Sequence, residues 1–352
     1  MTIAILTDIH FGLRTDSVFF DECIKKFMTC VFFPELDKRN IKTLFILGDT
    51  FDRRKYINFI TLYSCKQYFF NELQKRNIET VMLVGNHDAA WKQSIVVNSP
   101  SLLLKEYKNI TVVDSPLEYV NGDIKFAMIP WICDDNLDEI NAFIKNTNAG
   151  VLFSHLELHG FEFQQGQVNH DGMKADIFDK FDMVLTGHYH HKSEKNNIIY
   201  LGTSCEHNWG DYGDKKGFHF FDPNTRELEF VENPFVMHHK IFYDDSDGNF
   251  DINQDLSIYS GTYVKVFVKN KTNPYHFDLF LSALERVNPI DTQIIEDALI
   301  IEVGSDAQEI INEAEDTKVI MNCYLNELDT NVDKIKLDNL LNSLYNEAMS
   351  LQ

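Results

Sequence analysis

The stretch TLFILGDTFDRR, residues 43–54, joins a β-strand to a turn that carries two carboxylates. Its first five residues are apolar or β-branched, which is typical of a buried strand. Gly48 permits a sharp turn directly before Asp49, and Asp52 follows three residues later. Ligands gather at strand ends in α/β sheets, so this stretch predicts an α/β fold with a ligand site at the end of this strand.

Four other short motifs also lie at or just after the ends of predicted strands. With the first, they are Asp8-Ile9-His10, Gly48-Asp49-Thr50-Phe51-Asp52-Arg53, Gly85-Asn86-His87-Asp88, Ser154-His155 and Gly187-His188-Tyr189-His190. Residues i and i+2 of an extended chain face the same way, so Asp8 and His10 are expected to bind one ion together. Each motif alone is weak, but together they supply seven candidate metal ligands: two carboxylates, one amide and four imidazoles, which are Asp8, Asp49, Asn86, His10, His155, His188 and His190. Such a set suits two divalent ions that share one carboxylate.

Residues 1 to about 235 alternate short β-rich runs with longer helical patterns, which predicts a layered α/β domain with mixed sheets. The predicted strands are Ile3–Thr7, Thr43–Leu47, Thr80–Val84, Ile110–Val113, Ile124–Ile129, Val151–Ser154, Met183–Thr186, Ile198–Leu201, Phe218–Phe221 and Leu228–Val231. The predicted helices are Phe19–Lys38, Phe59–Lys75, Leu137–Lys145 and Ile177–Phe181.

The pattern changes near Asn233-Pro234, where a second domain is predicted to begin. It contains a β-α-β pattern, predicted as strand Thr262–Val268, helix Pro274–Val287 and strand Thr292–Val303. From residue 304 onward the chain is acidic, and two helices are predicted there, Lys318–Leu328 and Val332–Met349. The second displays leucines at i, i+3, i+4 and i+7 spacing, which forms one apolar stripe.

Composition limits the function. Fifty-four acidic against 32 basic residues give a net charge of −22, the wrong sign for a protein that holds nucleic acid by a broad basic surface. An enzyme that meets phosphates through metal ions is not excluded. The six cysteines form no C-x-x-C pair, and no apolar run approaches about 18 residues. We expect no signal peptide, because no basic segment precedes the first strand. We therefore expect a cytoplasmic protein that does not enter a membrane.

The five motifs together resemble the signature of the calcineurin-like metallophosphoesterases, which is D-x-H, G-D-x-x-D, G-N-H-D/E, a lone H and G-H-x-H. The resemblance covers residues 1 to about 235. Within that superfamily, GDTFD, VGNHD, SHLELHGF and TGHYH are similar to SbcD-type nuclease subunits, above all to those of phages. The resemblance implies an α/β/β/α sandwich over residues 1–235 and a small β-α-β DNA-capping domain over 236–303. It also implies a linker and C-terminal helices over 304–352 that bind a coiled-coil ATPase of the SbcC type.

The resemblance also implies the roles of the site residues. Those implied to hold the first metal are Asp8, His10 and His190, and those implied to hold the second are Asn86, His155 and His188. Asp49 would bridge the two ions. Manganese is favoured by the resemblance, and the mixed oxygen and nitrogen ligands would also accept iron, zinc or magnesium.

Two further residues are implied to act on the substrate side of the metals. His87 would stabilise charge or protonate the leaving oxygen. The carboxylate of Asp52 would orient His87 through one ring nitrogen. Arg53 is a candidate for contact with the phosphate, with Arg54 and Lys55 as equally placed alternatives.

The implied function is that of a DNA nuclease subunit in an ATPase–nuclease complex for recombination and repair. It would cleave duplex ends exonucleolytically and single strands endonucleolytically, and it would form a homodimer through its first helices. One alternative is a metallophosphoesterase of another substrate class, such as a protein phosphatase or cyclic-nucleotide phosphodiesterase; the extra domain and helical tail argue against it. The other is a non-catalytic tethering subunit, which the complete ligand set and His87 argue against.

Several residues near the motifs fall outside the ligand pattern. The histidines interpreted as surface or loop residues are His159, His170, His191 and His207. His238 and His239 are interpreted as solvated, and Trp131 as a packing residue.

Overall fold

The computed structural model describes residues 2–296, except 123, 165, 249, 252 and 253, and beyond them only Leu337. The chain divides into two compact units between His239 and Lys240. The helices predicted after residue 304 lie outside the described residues, apart from Leu337.

The strands alternate with helices along the first unit. In chain order the strands are β1 (Ile3–Leu6), β2 (Thr43–Ile46), β3 (Glu79–Leu83), β4 (Ala89–Trp91), β5 (Ser94–Asn98), β6 (Ile110–Val113), β7 (Leu117–Asn121), β8 (Ile124–Ile129), β9 (Val151–His155), β10 (Glu162–Gln164), β11 (Gln167–Val168), β12 (Met183–Gly187), β13 (Ser193–Lys195), β14 (Ile198–Tyr200), β15 (Gly217–Phe221) and β16 (Leu228–Glu232).

The helices of this unit are mostly short. In chain order they are α1 (Leu13–Asp16), α2 (Val18–Phe27), α3 (Phe33–Lys38), α4 (Phe59–Cys65), α5 (Asn71–Lys75), α6 (Ser99–Leu103) and α7 (Leu137–Asn146). A π-helical turn, Met28–Phe32, joins α2 to α3, and another, Lys66–Phe70, joins α4 to α5. Single 3₁₀ turns occur at Ala175–Phe178 and Trp209–Asp211.

Two six-stranded sheets form the body of the first unit. The first has the order β16-β15-β1-β2-β3-β6, and the second has the order β13-β14-β12-β9-β8-β7. Strands β1, β2, β3 and β6 run parallel, as do β14, β12, β9 and β8. The carboxyl ends of the parallel strands therefore lie along one edge of each sheet.

Alternation along the strands explains the layers. In β2, Leu44 and Ile46 belong to the core beneath α2 and α3, whereas Phe45 joins the core shared by the two sheets. Side chains of a strand point alternately to its two faces, so a strand that is apolar throughout is buried on both sides. A third cluster, which includes Ile140 and Ile144 of α7, covers the outer face of the second sheet. The result is the α/β/β/α order of layers.

The structure agrees closely with the predicted elements of this unit. Each of the ten predicted strands is present, with its ends within one residue of the prediction. The helices predicted as Phe19–Lys38 and Phe59–Lys75 are present, each with a π turn in its middle. The helix predicted as Ile177–Phe181 is wrong, because Ala175–Phe178 forms only a 3₁₀ turn.

The second unit contains a three-stranded sheet of order β17-β18-β19. Its strands are β17 (His238–Asp244), β18 (Tyr263–Asn270) and β19 (Asp291–Ile295), and the division between the units falls within β17. Helix α8 (Pro274–Arg286) begins with Pro274, and the side chain of Asn273 caps its first turn. A 3₁₀ turn lies at Ser257–Tyr259. The strand predicted as Thr292–Val303 is described only as far as residue 296. In the part of the chain that the structure describes, no helix is long and apolar enough to cross a membrane.

Candidate metal centre

The five motifs follow the carboxyl ends of five parallel strands. Asp8 and His10 follow β1, Asp49 follows β2, and Asn86 and His87 follow β3. From the second sheet, His155 ends β9, and His188 and His190 follow β12. The structure brings these side chains into one cluster. Groups of three of them place their nitrogen and oxygen atoms within 4.8 Å of one another, and others are in hydrogen-bond contact.

Asp49 lies between the two halves of the cluster. Its Oδ2 is 3.6 Å from Nε2 of His10 and 3.4 Å from Nε2 of His155. On the His10 side, Oδ1 of Asp8 is 4.0 Å from the same His10 nitrogen. One carboxylate oxygen thus faces histidine nitrogens on both sides, an arrangement that would allow it to bridge two ions.

Asn86 organises the other half. Its Oδ1 lies 2.9 Å from Nε2 of His155 and 2.8 Å from Nδ1 of His188. The other nitrogen of His155, Nδ1, lies 2.7 Å from the carbonyl of Leu47 and donates to it, because a carbonyl can only accept. In the neutral form of the ring, which is the form that binds a metal, Nε2 of His155 presents a lone pair to the amide oxygen, and a cation between two such acceptors would satisfy both.

A buried atom without a partner shows that these residues fit a metal. Nε2 of His10 is buried and has no hydrogen-bond partner among the described residues, while Nδ1 of the same ring is paired. Buried polar atoms are nearly always satisfied by protein, water or an ion. Nε2 of His10 faces two carboxylates, so the donors here suit a divalent cation.

The electrostatics favour positive charge at the centre. Burial lowers the pKa of His10, but the hydrogen bond to Asp52 and the charge of Asp49 outweigh it and raise the pKa to about 9. The pKa of His155 is also raised to about 9, because the negative charge of Asp49 outweighs the effect of burial. By contrast, burial and the neighbouring His10 lower the pKa of His190 to about 4, so this imidazole is neutral, as a metal ligand must be.

Several cluster residues have left-handed backbone angles. The φ angles are 51° for Asp8, 52° for His10, 48° for Asp49 and 92° for His188. The extended geometry expected for Asp8-Ile9-His10 is therefore wrong. Two main-chain hydrogen bonds hold this turn. The N–H of Asp8 donates to the carbonyl of Gly48 at 3.1 Å, and the N–H of His10 donates to the carbonyl of Asp49 at 3.0 Å. Left-handed non-glycine residues cost free energy, and they occur mainly where tertiary contacts determine them.

Glycine is required at one close approach. A Cβ added to Gly85 would collide with the main-chain nitrogen and Oδ1 of Asp49. The turn after β3 can therefore reach the proposed bridging carboxylate only with glycine at this position.

Asp88 joins two of the motif turns. Its carboxylate accepts hydrogen bonds from the main-chain N–H groups of Thr50, Phe51 and Gly85 at 3.2, 3.0 and 3.0 Å. Complete burial and the charge of Asp49 raise its pKa to about 7. Asp88 thus positions the turns that carry Asp49 and Asn86.

The orientation of His87 differs from the prediction. The carboxylate of Asp52 lies 3.0 Å from Nδ1 of His10, and it is the main-chain carbonyl of Asp52 that lies 2.7 Å from Nδ1 of His87. The reason is the backbone pairing: the N–H of Phe11 donates to Thr50 and the N–H of Asp52 donates to Phe11, which places the Asp52 side chain beside His10. The predicted carboxylate contact to His87 is therefore wrong.

Comparison with known proteins agrees with this geometry. Residues 1–192 match the family model described as calcineurin-like phosphoesterase. The chain belongs to this family. It is also 30% identical to exonuclease subunit 1 of Enterobacteria phage T4 over 358 residues, which covers 99% of each chain. The family predicted from the five motifs is confirmed, together with the relationship to a phage nuclease subunit.

Two solved structures are also similar to this phosphoesterase. One is an archaeal phosphodiesterase, with a TM-score of 0.35, 15% identity, and coverage of 66% of this chain and all of that chain. The other is a purple acid phosphatase from yellow lupin seeds, with a TM-score of 0.40, 12% identity, and coverage of 66% of this chain and 51% of that chain.

Most residues outside the ligand pattern of the phosphoesterase lie apart from the centre. His159 and His170 are exposed, and His191 pairs with Asp214 at 3.0 Å. Trp131 packs beside the cluster, with its ring 5.1 Å from that of His188. Arg53 lies 3.7 Å from Asp16.

Two histidines interpreted as surface, loop or solvated residues are buried. His238 is buried with Nδ1 3.1 Å from Glu206, so its interpretation as solvated is wrong. His207 is 2% exposed, and its ring lies 5.0 Å from that of His10 and 4.6 Å from that of His190. His207 does lie in a loop, as interpreted, but it is buried rather than at the surface. One signal could have found it, because His207 follows β14, a parallel strand whose carboxyl end lies at the same edge as that of β12.

A cleft of about 440 Å³ opens beside the cluster. His188 and His190 form one wall, and Phe163, Asn169 and Asn208 are among the other lining residues. Aromatic and amide side chains next to a phosphoesterase centre can stack on and hydrogen-bond to the organic part of a phosphoester.

Proposed function

We propose that this chain is the nuclease subunit of an SbcCD-like ATPase–nuclease complex and hydrolyses DNA phosphodiester bonds with two divalent metal ions. It would cleave duplex ends exonucleolytically and single strands endonucleolytically, in DNA recombination and repair. The observation that carries the proposal is the position of Asp49, whose Oδ2 lies within 3.6 Å of ligand nitrogens on both sides. A shared carboxylate suits two ions about 3.5–4 Å apart, a recurrent arrangement in enzymes that cleave phosphoesters.

The ligand sets follow from the two halves of the cluster. We assign Asp8, His10 and His190 to the first metal, Asn86, His155 and His188 to the second, and Asp49 to both. When bound, the two ions supply Lewis-acid activation of the phosphate and of the attacking water. Manganese is the metal that the family favours, and iron, zinc or magnesium suit the same mixed donors.

His87 is the residue that we expect to act on the substrate. Its main-chain N–H donates to Oδ1 of Asp49 at 2.7 Å, and its Nδ1 donates to the carbonyl of Asp52. These two contacts fix the ring and its tautomer and leave Nε2 for the substrate. The partly buried ring can stabilise charge on the phosphate or pass a proton to the leaving oxygen.

Support for DNA as the substrate comes from the relative and from local charge. The T4 relative is an exonuclease subunit and aligns along nearly the whole of this chain. Directly after the Asp49 turn, Arg53, Arg54 and Lys55 line a cavity of about 210 Å³ together with Tyr56. This basic cluster suits phosphates that flank the cleaved one, although the chain as a whole is acidic.

A homodimer is proposed from an exposed apolar surface on α2 and α4. Asp21 of α2 accepts hydrogen bonds from Ser64 at 2.6 Å and from Tyr68 at 3.0 Å, which tie α2 to the helix that begins with α4. Large apolar side chains on the solvent side of these helices are Val18, Phe19, Phe59, Ile60 and Tyr63. An apolar patch of this kind marks an interface, and a second copy of the same patch would cover it by two-fold symmetry.

The proposed partner is a coiled-coil ATPase of the SbcC type. The contact would be made by residues 304–352, whose predicted leucine stripe needs a covering surface. Residues 236–303 would form the DNA-capping domain. The complex would work in the cytoplasm, which for a phage protein is that of the bacterial host.

The test is cleavage by the purified full-length chain. With manganese, it should degrade a labelled DNA duplex from its ends and cut single strands, and a chelator should stop both reactions. Hydrolysis of a phosphomonoester with no cleavage of either DNA would instead favour the other substrate class. Tight manganese binding without any hydrolysis would favour a tethering subunit.

A further inference from the structure

His207 lies against the first-metal half of the cluster although no family motif includes it. One ring nitrogen from each of His10, His190 and His207 lies within 4.8 Å of the others, close enough for three ligands of one ion. The three rings meet edge to face rather than stacked.

Both ring nitrogens of His207 are buried and have no hydrogen-bond partner among the described residues. A buried histidine that serves only in packing normally spends at least one nitrogen on a hydrogen bond. His238 illustrates the difference, because its buried Nδ1 is paired with Glu206. The unpaired nitrogens of His207 face the two histidines nearest to the proposed first metal.

The loop holds His207 rigidly by its main chain. Its N–H donates to Oδ2 of Asp211 at 2.7 Å, and its carbonyl accepts from Nε of Arg14 at 2.9 Å. The buried Lys216 donates to Oδ1 of Asp211 and to the carbonyl of His190, both at 2.7 Å. The His190 and His207 loops are thereby linked through one ammonium group, so the two rings are positioned together.

We propose that His207 is an additional nitrogen ligand of the first metal, beside Asp8, His10 and His190; this rests on the proposed two-metal function. The ligand set of that ion then contains three imidazoles. Imidazole suits zinc and iron, whereas carboxylate and carbonyl oxygens suit manganese and magnesium. The first site should therefore prefer zinc or iron(II) over manganese more strongly than the second site does.

The test uses the full-length chain with His207→Phe, which keeps a ring but removes both nitrogens. The matched control is His219→Phe, since His219 is also buried but packs against Phe230 of β16. Calorimetric titrations with manganese and with zinc measure the affinity of each site. Removing a residue that only hydrogen-bonds to a metal ligand already lowers the metal affinity about 10–100-fold. We therefore expect one of two metals to bind at least about 10-fold more weakly in His207→Phe, with a larger loss for zinc, and no change in the control.

Thermal unfolding with and without metal separates a ligand from a packing residue. If His207 is a metal ligand, the His207→Phe variant should have an equal or higher Tm than the wild type without metal. The rise in Tm that manganese produces should be smaller in the variant. An unchanged metal affinity and an unchanged metal-induced rise would overturn the assignment, with the proposed function intact. If the wild-type chain binds no metal, the proposed function fails first. If His207→Phe does not fold, His207→Leu, which also carries no donor atom, answers the same question.

Discussion

The carboxylate of Asp52 lies 3.0 Å from Nδ1 of His10. This contact fixes the ring so that Nε2 points toward Asp8 and Asp49, where the first metal is proposed to bind. The same residue serves His87 through its main-chain carbonyl. Metal-binding histidines commonly donate their second nitrogen to a carboxylate in this way.

Replacing Asp52 by alanine should therefore affect the metal more than the position of His87. We expect the affinity for one of two metals to fall about 10–100-fold, because His10 loses its partner while the carbonyl that holds His87 remains. Titration calorimetry with manganese measures the change. Asp52→Asn is the matched control, since its amide oxygen can still accept from Nδ1 of His10. Equal metal affinity in Asp52→Ala and the wild type would contradict this prediction.

Replacing Asp49 by alanine should remove both metals together and abolish cleavage, because both ligand sets face this carboxylate. Elemental analysis after dialysis gives the number of metals per chain. Asp134→Ala, which removes an exposed carboxylate, should keep two metals and full activity. Two bound metals and near-normal cleavage in Asp49→Ala would reject Asp49 as the bridge.

The variant His87→Ser should keep both metals and lose most of the rate. General acid–base catalysis contributes about 10²–10⁴-fold, and kcat for DNA cleavage should fall within this range. Calorimetry and single-turnover cleavage are measured on the same preparation. If metal binding is lost along with the rate, His87 is a ligand, and the role assigned to it here is incorrect.

Phe59, whose side chain is 87% exposed on α4, should stabilise the proposed dimer. Burying such a side chain contributes about 1.5–3 kcal/mol, and a symmetric interface contains it twice, so Phe59→Asp should raise the dimer dissociation constant at least about 10²-fold. Sedimentation of the full-length chain measures this constant. Val96→Asp, which changes an exposed valine of β5, should leave it unchanged. A wild-type chain that stays monomeric at high concentration would rule out the interface.

Removal of residues 305–352 should separate catalysis from assembly. The shortened chain should keep manganese-dependent activity on single-stranded DNA and lose both co-purification with an SbcC-type ATPase and ATP-stimulated processing of duplex DNA. Residues 301–352 carry 11 acidic residues and three lysines, so association of the full-length chain should slow as salt is added. If the shortened chain unfolds and the full-length chain has no affinity for the ATPase, the leucine stripe belongs to this protein's own core.

Much of the fold could be predicted because its strands are strongly marked. β2 and β9 are short apolar runs that end at a motif, and their burial on both faces makes the pattern unambiguous. The edge strand Ser193–Lys195 was missed because it is short and polar, and its pairing with β14 depends on the turn between them.

The cluster was predictable by residue type but not by geometry. The rule that parallel strands end at one edge predicts which side chains of one sheet meet, whereas the contact between Asp49 and His155 joins two sheets and does not follow from it. The contact made by the Asp52 carboxylate depends on backbone pairing with Phe11, which no local pattern encodes. His207 was missed because its place in the cluster comes from a loop after β14 and from no motif.

The left-handed backbone at Asp8, His10, Asp49 and His188 limits how this centre can be redesigned. Aspartate and histidine adopt that conformation more readily than most residues, so they suit the left-handed main chain as well as the proposed metals. Exchange of these four for cysteine or glutamate would change the main chain along with the donor atom. Engineering toward another metal should therefore begin at Asn86, His155 or His190, whose φ angles are not positive.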